Sequence, residues 1–129
     1  MFFYAYVLTL VGAGASGVLL ARYDLRWLVG LHLGSLRPSI EANLGGQYRF
    51  LRSIELGFGL FALTYRREIF RLRQFNRLFL GTMGCGIVAR LIGLGVDGVP
   101  SAAMLFFLAF EAFAFVLVAA ATRSTLEPA

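Results

Sequence analysis

From Phe2 to Ala21 the chain carries no charged side chain. About twenty helical residues at about 1.5 Å each span the hydrocarbon core of a bilayer. In lipid every backbone N–H and C=O must find a partner within the segment, so such a run is a transmembrane helix. Three further apolar stretches follow, at about 48–65, 77–96 and 101–122. The third is interrupted only by Arg90 and the fourth only by Glu111. The second is the weakest, because Arg49, Arg52 and Glu55 lie in its first half. Its second half, Leu56 to Tyr65, is uncharged, and the chain needs it to connect its neighbours. The pattern predicts an all-α polytopic membrane protein. Residues 1–129 form a single domain of four transmembrane helices in an antiparallel bundle.

A cleaved signal peptide is the rival reading of the first run, with Ala13-Gly14-Ala15 as the processing site. No basic residue precedes the apolar stretch, as a signal peptide would require. The expectation is therefore a retained first helix.

Composition agrees with a lipid-embedded chain. Hydrophobic residues make up 59% of the sequence, more than a soluble domain of this length could bury. The formal net charge is +5, and all twelve basic residues are arginine. Such a balance can signal nucleic acid, but these arginines sit between or inside apolar runs. Membrane topology and anionic headgroups account for them better, so no nucleic-acid partner is expected. Cys85 is the single cysteine and His32 the single histidine. Neither suggests a metal site, and no metal or cofactor is expected.

Orientation follows from the arginines. The short segment between the second and third spans holds Arg66, Arg67, Arg71, Arg73 and Arg77 against one acid, Glu68. The positive-inside rule places it in the cytoplasm, and Arg123 after the last span falls on the same side. Both termini are then cytoplasmic. The first loop, Arg22 to Gln47, faces outward. It carries Trp27, Leu28, Leu31, Leu33 and Ile40, which points to a short interfacial helix with Trp27 at headgroup level. Gly34, Pro38 and Gly45-Gly46 are expected to break that loop into pieces.

An ionised side chain at the centre of a membrane helix costs about 2.5–3.5 kcal/mol on insertion scales. From the helical rise, Arg52 lies roughly 6 Å deep, Glu55 and Arg90 roughly 10 Å, and Glu111 about 15 Å. All four fall in the outer half of the membrane, and their formal charges cancel. Arg52 and Glu55 are also i,i+3 neighbours on one helix face. The expectation is a buried cluster of Arg52, Glu55, Arg90 and Glu111, closed as arginine–carboxylate pairs. Arg49 and Asp97 are candidates for a further pair at the outer mouth. Such pairs can fix helix register, or they can line a polar cavity that binds a headgroup or relays protons.

Asn43-Leu44-Gly45-Gly46-Gln47-Tyr48-Arg49-Phe50-Leu51, followed by Ile54 and Leu56-Gly57, resembles the start of the second helix in a bacterial family catalogued as a domain of unknown function, DUF4345. Ala89-Arg90-Leu91-Ile92-Gly93-Leu94, then Gly98-Val99-Pro100, is similar to that family's third helix and following turn. Glu111 stands where the family carries an acid in its last helix. The resemblance covers about residues 40–120. It implies a small four-helix bacterial membrane protein with Arg49, Arg90 and Glu111 as signature charges and no assigned activity, and the expected location is the bacterial inner membrane. Two departures stand out. Arg52 and Glu55 replace small or apolar residues, and the family's glycine pair is loosened to Gly84-Cys85-Gly86.

For function, the sequence points first to a non-catalytic accessory or scaffold subunit of a larger membrane complex, with lipid transport as the candidate process. The alternative is a small transporter or lipid-binding module that uses the Arg/Glu cluster. Membrane lipid and other membrane subunits are the expected partners. No nucleophile–base pair, metal-ligand spacing or phosphate loop is visible, so an enzyme is not expected. Gly12 to Gly17 matches a dinucleotide fingerprint only by letters, because it lies inside a membrane run with no preceding strand.

Overall fold

A computed structural model describes residues 1–124 and 126. The elements are α1 (Phe2–Leu19), α2 (Ala21–Asp24), a π-helical turn (Leu25–Val29), a 3-10 turn (Leu33–Ser35), α3 (Pro38–Thr64), α4 (Arg66–Arg71), α5 (Arg73–Val96) and α6 (Ala102–Thr122). Three of them, α1, α5 and α6, are long and apolar enough to cross a membrane. These are the first, third and fourth expected spans.

The second expected span differs in where it starts. α3 is 27 residues long and begins at Pro38, ten residues before the expected boundary at Tyr48. Proline suits the first helical position, where its missing N–H would have no partner. Arg37 O accepts from Ile40 N at 2.9 Å and from Glu41 N at 3.0 Å. Glu41 in the first turn favours the positive end of the helix dipole and takes Arg22 at 2.5 Å. Pro38 therefore starts a helix rather than breaking the loop, and Gly45-Gly46 lie inside α3. Each interior glycine costs about 1 kcal/mol of helix propensity, which a helix of this length tolerates.

The first loop holds three short helical pieces in place of one interfacial helix. α2 runs into the π turn, which closes at Gly30 with φ +74°, a left-handed conformation suited to glycine. Trp27 on this turn is 80% exposed. At the other end of the chain, α5 starts four residues before Arg77. Asp97 and Gly98 terminate it, with Gly98 at φ +96°. Pro100 follows, and Ser101 then caps α6 by accepting from Met104 N at 3.4 Å.

The chain divides into two compact units, Val7–Phe61 and Met1–Tyr6 with Ala62–Ala129. In the first unit α1 and α3 run antiparallel at close approach. A Cβ built on Gly14 would lie 2.6 Å from Leu56 N and 2.8 Å from Leu56 Cα. One built on Gly59 would lie 2.8 Å from Val11 Cγ2. Only glycine permits this backbone contact, the means by which membrane helices gain packing without a hydrophobic drive. Along α1, small residues stand four apart at Gly12 and Ser16 and at Ala13 and Gly17, the spacing of a close-packed helix face. The contact instead centres on Gly14 and Gly17, while Gly12 meets nothing within 4 Å in its own unit.

In the second unit α5 and α6 are antiparallel, and Phe79, Ile69 and Met83 form its core. Buried Asn76 donates to Ile69 O at 3.0 Å and to Thr122 Oγ1 at 3.1 Å. This bond ties α4, α5 and α6 together where α4 gives way to α5. Phe3 packs edge-on against Phe70 and tilted against Phe79, at 5.1 and 5.7 Å between ring centroids. Phe2 packs against Phe110 and Phe113 at 5.4 and 5.0 Å. Phe110 and Phe113 of α6 are thus engaged within the chain. Phe106 remains 64% exposed, as a lipid-facing residue would be.

Candidate functional site

The four charges of the expected cluster, Arg52, Glu55, Arg90 and Glu111, form two pairs, one in each unit. In the first unit, Arg52 Nη1 donates to Glu55 Oε2 at 2.6 Å, along the expected i,i+3 face of α3. Its Nε and Nη2 both donate to Tyr48 Oη, at 2.9 and 2.7 Å. Tyr48 Oη in turn donates to Asp24 Oδ2 at 3.3 Å, and Ser16 Oγ donates to the same oxygen at 3.3 Å. Asp24 also lies 3.9 Å from Arg52 Nη2. α1, α2 and α3 are thereby joined through one guanidinium whose side chain is 12% exposed.

The local sequence explains why Arg52 sits there. Its aliphatic stem crosses α1 at Gly17, and a Cβ on Gly17 would collide with Arg52 Cγ and Cδ. A long cationic side chain can thus lie flat between two helices and still reach a carboxylate at each end. Ser16, Asp24 and Tyr48 are members of this network that sequence reasoning missed. Tyr48 stands four residues before Arg52, on the same helix face, and that spacing was an available signal. Asp24 is one of two acids in the first loop, the other being Glu41, which takes Arg22.

In the second unit, Arg90 Nε donates to Glu111 Oε2 at 3.2 Å, bridging α5 and α6. Gly86 makes room for the carboxylate, since a Cβ there would lie 3.2 Å from Glu111 Oε1. The Glu111 side chain is 16% exposed and that of Arg90 39%. Arg90 Nη1 also approaches Met104 Sδ at 3.9 Å. Its open side faces a cleft of about 210 Å³. Leu94, Met104, Leu105 and Leu108 give this cleft an apolar wall, and Asp97 lies on its rim.

Arg49 and Asp97, the candidates for an outer pair, lie one in each unit. Arg49 Nε donates to Val18 O at 3.2 Å, which caps the free carbonyls at the end of α1. Asp97 closes α5, its N–H donating to Gly93 O at 2.7 Å. Among the described residues, no group of three or more His, Cys, Asp or Glu side chains is placed to hold a metal ion.

These charges occur in the setting that a family model describes. The chain belongs to the family described as a domain of unknown function (DUF4345), whose model matches residues 1–121. The match reaches back through α1 and the first loop, well beyond the residues 40–120 that carry the resemblance. No curated protein and no solved structure matches the chain. Fold and charge pattern thus define a small helical membrane-type protein whose family has no assigned activity.

Proposed function

We propose that this protein is a non-catalytic accessory or scaffold subunit of a larger membrane complex. In this reading α3 crosses the membrane beside α1, α5 and α6 as a four-span antiparallel bundle. The bundle lies in the bacterial inner membrane with both termini in the cytoplasm. The observation that carries the proposal is the way the intramembrane charges are used. Arg52 is matched by Glu55, Tyr48 and Asp24, and Arg90 by Glu111, each at a helix crossing of its own unit. Groups closed on one another in this way fix helix register and leave the chain's surface as its working part.

That surface is suited to association. Gly12, Gly57, Gly81 and Gly95 meet nothing within 4 Å in their own units. Open small residues on apolar helices are where another membrane helix can approach closely. A complex that moves lipids is the candidate assembly. The test is a mild-detergent pulldown of the tagged protein from its own cells, read by mass spectrometry. A stoichiometric membrane partner supports the proposal, and a clean monomer or homo-oligomer refutes it.

One observation favours a second reading. Arg90 is the least enclosed of the four charges and lines a cleft with an apolar wall, a combination that fits a lipid headgroup with its chain. A lipid-binding or small transport module would then lose its lipid in Arg90→Gln while keeping its fold.

A further inference from the structure

The basic segment before α5 has more organisation than topology requires. The positive-inside rule asks only that arginines be present, not that they converge. Here Arg66, Arg67 and Arg71 of α4 line one cleft of about 600 Å³ together with Phe3, Tyr4 and Phe70. Arg66 is held in place: it donates to Tyr4 Oη, and its Cζ lies 5.6 Å from the Tyr4 ring centroid. The floor is firm as well, because Phe3 packs edge-on against Phe70 at 5.1 Å and also against buried Phe79. Ile69, behind the arginines, is fully buried, which fixes the face that α4 turns outward.

Arg67 and Arg71 are exposed and have no carboxylate within 4.0 Å among the described residues. They stand at i,i+4 on a six-residue helix, where two like charges repel. An anion between them would relieve that repulsion. The cleft lies where α1 begins and α5 is about to begin, at one end of two helices long enough to cross the membrane. That is headgroup level, and the ligand most abundant there is the phosphate of a lipid. A guanidinium fork matches phosphate geometry, and the aromatic floor offers the upper acyl chain an apolar rest.

We infer that this cleft is a binding site for the phosphate of an anionic phospholipid, with Arg67 and Arg71 as its ligands and Arg66 positioned by Tyr4 at its edge. The site uses none of the intramembrane pairs and stands apart from the Arg90 cleft. It gives the expected lipid partner a place and a chemistry, and it does not depend on whether the protein joins a larger complex.

The test uses the full-length protein, purified in a neutral detergent and stripped of lipid. It is titrated with phosphatidylglycerol, with phosphatidylcholine of the same chains and with inorganic phosphate, and bound species are read by native mass spectrometry. Phosphatidylglycerol should bind in preference to phosphatidylcholine. R67Q/R71Q should weaken it by about tenfold or more, since it removes the two guanidinium forks that contact the phosphate directly. R73Q/R77Q removes the same charge from the same segment but no residue that lines the cleft, and should cost several-fold less affinity than R67Q/R71Q. If the two double variants lose affinity equally, diffuse electrostatics explains the binding and the inference is overturned. Full displacement of the lipid by equimolar inorganic phosphate would overturn it too, assigning the site to the free ion. Should R67Q/R71Q fail to fold, R67Q and R71Q singly carry the comparison against R73Q and R77Q, with the same two readings.

Discussion

Replacing Gly14 with alanine probes the close backbone approach of α1 to α3. A Cβ at this position would sit 2.6 Å from Leu56 N and 2.8 Å from Leu56 Cα and Cβ. The neighbours are mainly backbone, so no rotamer change can relieve the clash. α1 and α3 must instead separate by the best part of an ångström, which loosens the contacts at Gly17 and Gly59 as well. Overpacking of this kind costs about 1–3 kcal/mol. Alanine also gains about 1 kcal/mol of helix propensity over glycine, which would mask part of the cost. Gly12 supplies the correction, because it lies on the same helix and a Cβ there meets nothing within 4 Å in its own unit. Propensity cancels in the difference between Gly14→Ala and Gly12→Ala, leaving the clash alone. The assay is equilibrium unfolding of both variants in mixed micelles of a mild and a denaturing detergent. Gly14→Ala should be the less stable by about 1–3 kcal/mol. Equal stability of the two variants would refute the close packing of α1 on α3.

Tyr48→Phe removes the hydroxyl that accepts from Arg52 and donates to Asp24. It should cost about 1–3 kcal/mol in the same unfolding assay, with Ser53→Ala, an exposed hydroxyl bonded only within its own turn, as the near-neutral comparison. Asn76→Ala leaves Ile69 O without its side-chain donor and should destabilise by about 1–3 kcal/mol, whereas Thr82→Ala on the exposed face of α5 should be close to neutral. Cys85 is exposed and lies near the middle of α5, roughly 18 Å along the axis from Arg73. It should resist a membrane-impermeant maleimide in sealed vesicles and react once detergent is added. Rapid labelling in intact vesicles would contradict a span at α5.

The long helices were legible because lipid imposes so simple a demand: an uncharged run such as Phe2 to Leu19 has few alternatives. The first half of α3 was obscured by Gly45-Gly46 and by its polar residues, although Pro38 and Glu41 carried the signals of a helix start. Among the charges, Arg52 with Glu55 could be read from spacing along one helix. Arg90 with Glu111 could be read from depth along two. Asp24 could not, because its bonds to Ser16 and Tyr48 span 8 and 24 residues and depend on how the first loop folds back. The same holds for Gly14: a run of small residues shows that some face is close-packed, and only the crossing of α1 with α3 selects which. The clustering of Arg66, Arg67 and Arg71 was hidden for a related reason. The segment reads as a basic loop, and only its folding as α4, against Tyr4 at the start of α1, gathers three arginines into one cleft.

The proposal that the Arg52–Glu55 and Arg90–Glu111 pairs are structural locks is tested most directly by a double-mutant cycle on Arg90 and Glu111. Arg90→Leu and Glu111→Leu are measured singly and together for unfolding in mixed micelles and for partner retention in native-membrane pulldowns. Each single change strands one charge. For the more enclosed Glu111, which loses its partner in Arg90→Leu, the cost should be about 1–3 kcal/mol, discounted from that of a fully buried pair because Arg90 is partly exposed. The double variant should recover most of the loss and retain the partner. If it folds as well as the wild type yet loses all association and lipid binding, the pair is working chemistry rather than a lock, and the account is wrong.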